Sequence, residues 1–91
     1  TERKVYIGRG VKYFSKLGVA EFTVDAADFK LGDKLLITGP TTGVMYVDAK
    51  EIRLELEPVD YAPKGTHVSI PVPGKIRQSD KLFKLEQVEE Q

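Results

Sequence analysis

Phe29-Lys30-Leu31-Gly32-Asp33-Lys34-Leu35-Leu36-Ile37-Thr38-Gly39 reads as an apolar approach, a Gly-Asp turn and a short buried strand closed by glycine. The turn has a mechanism. Glycine takes positive φ without steric cost, and an aspartate carboxylate can accept a bond from nearby backbone. A degenerate copy lies near the end, Ile76-Arg77-Gln78-Ser79-Asp80-Lys81-Leu82-Phe83-Lys84-Leu85. Both copies place an aspartate in a turn, a lysine after it and apolar residues beyond. Turns of this kind launch the strands of small all-β barrels.

Outward from this stretch the chain keeps a period of two. Val5, Ile7, Val11 and Tyr13 share one parity, the mark of a strand with one buried face. Arg9 interrupts it between Gly8 and Gly10, which predicts a bulge or a tight bend. Ala20, Phe22 and Val24 form a second strand, and Asp25 to Asp28 a loop. Met45, Val47 and Ala49 hold one parity, whereas Ile52, Leu54 and Leu56 hold the other. One regular strand cannot bury both sets, so a kink is expected at Ala49–Glu51. Val68, Ile70 and Val72 alternate cleanly, and Lys81 to Leu85 is the last strand.

Strands this close, punctuated by glycine and proline, predict an all-β fold: a small closed or nearly closed antiparallel β-barrel of six to seven strands. Its expected interior is Ile7, Val11, Phe22, Leu35, Ile37, Val47, Ile52, Leu54, Val68, Ile70 and Leu82. Residues 1–85 read as one barrel domain and 86–91 as an acidic tail. Starting at Thr1 without methionine is the mark of a trimmed chain or of a domain excised from something longer.

The 91 residues contain no cysteine, one histidine and 31% charged side chains, with a formal net charge of zero. No disulfide framework or thiolate metal site is available, which fits a reducing, cytoplasmic setting. No apolar run reaches the ~18–20 residues of a membrane span, so no membrane partner is expected. Zero net charge argues against strong general nucleic-acid binding. The charges are nonetheless segregated. Residues 1–16 carry Arg3, Lys4, Arg9, Lys12 and Lys16 against Glu2 alone, and residues 75–84 carry Lys75, Arg77, Lys81 and Lys84 against Asp80 alone.

Catalytic patterns are missing. Gly39-Pro40-Thr41-Thr42-Gly43 lacks the lysine and helix of a phosphate cradle. His67 and Ser69 share a strand face, but nothing marks a third orienting group or an oxyanion donor. Asp33 and Asp80 read as turn caps. The expectation is no enzyme, no catalytic residue, no metal and no cofactor.

Gly8-x-Gly10-Val11, Tyr13 to Ala20, and Leu31-Gly32-Asp33-Lys34-Leu35-x-Ile37-x-Gly39-Pro40-Thr41-Thr42 resemble the second domain of translational GTPases, the elongation factor Tu type of β-barrel. They are also similar to small elongation-factor-like proteins, and to the C-terminal barrel of U32-family peptidases, collagenase-like proteins linked to tRNA modification. The similarity continues through Pro58–Ile70 and Ile76–Leu85. Ser79 stands where the family usually has glycine. In the GTPases this barrel helps hold the acceptor end of aminoacyl-tRNA, so the resemblance implies an RNA partner, tRNA or ribosomal.

The opening segment mixes cations with rings, the combination that meets phosphates and stacks bases. Arg9, Lys12, Tyr13, Phe14, Lys16, Lys75 and Arg77 are therefore the RNA-binding candidates, converging where the first and last strands become neighbours. The expected function is a non-enzymatic, translation-factor-like module docking onto RNA or a ribonucleoprotein. The alternative is a protein-interaction module, with Val44-Met45-Tyr46 as an exposed edge, or an accessory C-terminal domain covalently linked within a larger U32-peptidase-like enzyme.

Overall fold

The structure, a computed structural model, describes residues 1–88. The chain is all-β and antiparallel, built on one long strand that serves two partners. β1 (Glu2–Phe14) pairs through its first half with β10 (Lys81–Gln87) and through its second half with β2 (Val19–Thr23). The register slips between Tyr6 and Gly8 on the β10 side and between Gly10 and Lys12 on the β2 side. Each slip inserts one residue, Ile7 and then Val11, and each bulge adds twist that turns the strand from one half of the sheet into the other. The glycines allow it. A Cβ on Gly8 would lie 1.9 Å from the Thr23 carbonyl oxygen, so only hydrogen fits there.

β4 (Lys34–Gly39) pairs with β10 and with β5 (Gly43–Asp48). On the other side, β9 (His67–Pro71) pairs with β2 and touches β6 (Ile52–Leu54), which forms a hairpin with β7 (Glu57–Val59). The order of the eight-stranded sheet is β5-β4-β10-β1-β2-β9-β6-β7. A separate ribbon joins β3 (Phe29–Lys30) to β8 (Tyr61–Ala62). The sheet folds over one core: Ile7, Leu35, Ile37 and Leu82 from one half pack in the same cluster as Phe22, Ile52, Val68 and Ile70 from the other.

Among the described residues ten strands replace the expected six to seven. The extra ones are two- and three-residue pieces, too short to show a period. The sheet's ends, β5 and β7, share no ladder among the described residues, so hydrogen-bonded closure of a barrel is not observed. The gap between β5 and β6 is bridged through the kink at residues 49–51, where the Ala49 N–H donates to the Asp33 carbonyl (2.9 Å) and the Gly32 N–H to the Ala49 carbonyl (2.9 Å). Of the expected interior, Val11 and Leu54 are only half-buried. Val11 is the bulged residue, and Leu54 opens a turn. Leu56, grouped by parity with Ile52 and Leu54, is 86% exposed, because it sits in the β6–β7 turn rather than in a strand. The last strand runs to Gln87, two residues into the segment read as a tail. The final part of that segment, residues 89–91, lies outside the described residues.

The two aspartate turns match in detail. The Lys30 N–H donates to Asp33 Oδ2 at 3.0 Å, and the Arg77 N–H donates to Asp80 Oδ2 at 2.9 Å. In both, the aspartate N–H returns to the carbonyl three residues back at 3.1 Å. Gly32 (φ 90) and Ser79 (φ 72) occupy the left-handed position before the aspartate. Asp80 is also 2% exposed and accepts a bond from the Thr42 hydroxyl, tying its turn to the β4–β5 turn.

Candidate docking surfaces

The outer face of β1, β10, β4 and β5 carries a row fixed by register: Tyr6 opposite Phe83, Phe83 opposite Leu36, Leu36 opposite Tyr46. Tyr6 and Phe83 meet edge-on at 5.7 Å, and the Lys4 ammonium lies 5.0 Å from the Phe83 ring centre. The next row sets Arg9 directly opposite Lys81. Neither has an acidic partner among the described residues. Like charges in directly opposed positions cost stability.

The RNA-binding candidates fall in several places. Arg9 is exposed beside Lys81. Lys12 is exposed, opposite Glu21, with its ammonium 5.1 Å from the centre of the half-buried Phe14 ring. Tyr13 turns the other way and packs against the core. Lys16 is exposed in the β1–β2 turn, and Lys75 and Arg77 are exposed before β10. The turn ending at Asp80 bonds Gly10 in both directions, Gly10 N–H to the Asp80 carbonyl (2.7 Å) and Ser79 N–H to the Gly10 carbonyl (2.9 Å). The backbones of the two basic segments are thus neighbours.

A second surface went unread in the sequence. On the outer side of β2, β9 and β6, the register aligns Glu21 with Ser69 and Ser69 with Arg53, and His67 Nδ1 stands 3.1 Å from Glu21 Oε2. Hairpin tips rise on either side. One presents Phe14, Leu17 and Val19; the other presents Glu55 and Leu56. Between them runs a groove of about 760 Å³, completed by Glu51 and Pro71. Leu17 is 74% exposed. Leu56 and Glu55 have φ of 69° and 51°, the left-handed region, where glycine or asparagine is usual in a two-residue hairpin turn. Arg53 braces this tip, its Nε 2.5 Å from Glu51 Oε1 and its Nη1 donating to the Leu56 carbonyl at 3.2 Å. The one available signal was a leucine between two glutamates, Glu55-Leu56-Glu57, which parity absorbed into a strand.

A third cluster is polar. The Tyr61 hydroxyl donates to Asp28 Oδ2, and Lys84 Nζ lies 3.4 Å from Asp28 Oδ1. The phenol bond first, then Lys84, holds the Asp28 carboxyl below its ordinary range, and the same bond raises the Tyr61 phenol. His67 and Ser69 have Glu21 and Arg53 as neighbours, which is not the nucleophile, base and oxyanion arrangement of a hydrolase. Among the described residues no group of three or more His, Cys, Asp or Glu side chains is placed to hold a metal ion. No described helix is long and apolar enough to cross a membrane.

With this geometry in view, the comparisons narrow the family. No protein-family model matches the chain. A collagenase of Porphyromonas gingivalis is 51% identical over 90 residues, covering 99% of this chain. The chain is homologous to a segment of collagenase. An uncharacterized protease of Methanocaldococcus jannaschii is 34% identical over 85 residues. The chain spans only about a fifth of these relatives, 22% of the collagenase and 21% of the protease. Among solved structures, the C-terminal domain of a U32 peptidase candidate from Geobacillus thermoleovorans matches with a TM-score of 0.80 over 85% of this chain and 95% of that domain, at 19% identity. A second structure of that domain gives 0.80 at 18% identity. These likenesses establish the fold, and the collagenase-like proteins supply the homology. The comparisons do not show the resemblance to elongation factor Tu.

Proposed function

We propose that this chain serves as a non-catalytic β-domain of a larger U32-peptidase-like protein, where it docks the catalytic remainder or its macromolecular substrate. The observation that carries this is the 51% identity of nearly the whole chain to about a fifth of a collagenase. A segment of that size, without an assembled catalytic set, supports an accessory role beside a separate active site. The surfaces described above are an open sheet face and a groove between two hairpin tips, which suit a macromolecule better than a small substrate. The test is reconstitution. The 91-residue chain alone is expected to leave peptide substrates intact and to associate in trans with the rest of the longer protein. Peptide hydrolysis by the chain alone, or no association by calorimetry at micromolar concentrations, overturns this reading.

A second reading, RNA docking, is favoured by one observation, the opposed and acid-free Arg9 and Lys81 beside the Tyr6–Phe83 rings. Two cations held together at a cost are relieved by phosphate, and neighbouring rings can stack bases. It keeps the translation-factor-like barrel as its analogy and places the chain in the cytoplasm. Affinity for single-stranded RNA is expected to fall with salt at a slope of about −0.7 per phosphate contact. A salt-insensitive titration, or one unchanged by reversing Arg9 and Lys81 to glutamate, removes it.

A further inference from the structure

We propose that the groove over β2, β9 and β6 is a docking site for a basic amphipathic helix of a polypeptide partner, gripped between Leu17 and Leu56. The inference rests on the accessory-domain reading and names the surface that would do the docking. The two most exposed large apolar side chains of the chain, Leu56 at 86% and Leu17 at 74%, stand on separate hairpin tips and line the same groove. Phe14, Val19 and Pro71 continue the apolar wall. Scattered exposed leucines are ordinary, whereas leucines converging on one concavity mark an interaction surface.

Leu56 carries the strongest argument. Its φ of 69° is one that a β-hairpin turn normally assigns to glycine or asparagine. The side chain gains no burial in return. The fold therefore keeps a strained, solvated leucine that does nothing for its own core, and fixes its carbonyl with Arg53. A local rule broken without a compensating contact inside the domain points to a contact outside it.

Charge selects the partner. The lining holds Glu21, Glu51 and Glu55 against Arg53 and His67. Arg53 is already engaged by Glu51, and His67 faces Glu21, which leaves Glu55 at the leucine tip with no ion pair among the described residues. Apolar tips on either side of a floor with an excess of carboxylates complement a segment with an apolar stripe flanked by lysine or arginine, and the carboxylates repel a phosphate backbone. The strands under the groove, β2, β9 and β6, all lie inside the sheet order with a neighbour on each side, so the groove offers no sheet edge to which a partner strand could add. A helix, whose backbone is satisfied internally, fits an apolar groove by its i, i+3, i+4, i+7 side chains.

The test uses isotope-labelled chain and two synthetic helical peptides with leucines at those spacings, one flanked by lysines and the other by glutamates. The lysine peptide is expected to shift the amides of residues 14–21, 53–57 and 67–71, and the glutamate peptide to leave them unmoved. Leu56→Gly separates function from folding. It removes the strain, so thermal stability is expected to hold or rise, while affinity for the lysine peptide falls roughly tenfold, the scale of a lost central anchor. Leu17→Ser serves as the companion variant from the opposite tip and is expected to weaken binding similarly. Equal binding of the two peptides, shifts confined to the Tyr6–Phe83–Tyr46 face, groove shifts induced by an RNA oligonucleotide, or unchanged affinity in Leu56→Gly each overturn the proposal. Groove binding in a chain that fails to associate with the rest of the longer protein overturns the accessory-domain reading and leaves the groove assignment standing.

Discussion

Replacing Gly8 with alanine tests the strand-switch at the centre of the fold. The new Cβ would sit 1.9 Å from the Thr23 carbonyl oxygen, 2.7 Å from its carbon and 2.8 Å from Thr23 Oγ1. Carbon does not approach this close, so β1 and β2 must separate by about an ångström where the sheet bends. The neighbours are backbone, not the far end of a flexible side chain, and cannot rotate away. Overpacking of this kind costs about 1–3 kcal/mol, sometimes more. Separation also strains the bond from the Arg9 N–H to Thr23 Oγ1 (3.0 Å) and the bonds from the Asp25 and Ala26 N–H groups to the Ile7 carbonyl (2.8 Å each). Each such bond is worth about 1 kcal/mol net. A loss of roughly 3–5 kcal/mol follows, a large part of the ~5–14 kcal/mol expected for a domain this size. Urea and thermal unfolding followed by circular dichroism measure it, with Gly74→Ala as the control, since a Cβ there meets only Met45 Cε at 3.3 Å. A Gly8→Ala loss below about 1 kcal/mol with an unchanged urea slope refutes the close approach.

Ser79→Gly places glycine at φ 72° and is expected to stabilise the chain by about 0.5–1 kcal/mol, read as a raised unfolding midpoint. Asp80→Ala leaves the Arg77 N–H and the Thr42 hydroxyl without their acceptor in a buried turn, and should cost about 2–4 kcal/mol by the same measurement. The Asp28 carboxyl is held below its ordinary value of 3.8, so its contribution to stability is full above that value and fades as acidification passes its folded-state titration. The Tyr61 phenol titrates above its ordinary 10.0, so the same contact favours the fold below that value and fades at higher pH. Tyr61→Phe should bring Asp28 back towards its ordinary value in a carbon-detected NMR titration, and an unmoved Asp28 curve would show that Lys84 alone sets it.

Some of the functional surface was legible and some was not. The cations Arg9, Lys12, Lys16, Lys75 and Arg77 are exposed, as charged side chains usually are. The pairing of the first and last strands brought the two basic segments' backbones together. The partner that Arg9 meets most directly is Lys81, which ordinary alternation along β10 could not single out, since cross-strand partners depend on register. Tyr13 shares the parity of Val5, Ile7 and Val11, and Phe14 takes the opposite one. The structure keeps that division, with Tyr13 packed against the core and Phe14 lining the groove.

Local chemistry determined the turns. Gly32-Asp33 and Ser79-Asp80 close the same way because an aspartate side chain reaches the backbone three residues back, whatever surrounds it. Alternation likewise determined most of the core: Ile7, Phe22, Leu35, Ile37, Val47, Ile52, Val68, Ile70 and Leu82 are all buried. Tertiary structure alone decided the two bulges of β1, the ribbon of β3 with β8, and the convergence of Leu17 and Leu56, which lie far apart in the chain. Bulges slip register by a single residue, two-residue strands have no period, and a groove exists only once separate hairpins stand side by side. Such features arise from long-range pairing, and a one-dimensional pattern carries no record of which strand lies next to which.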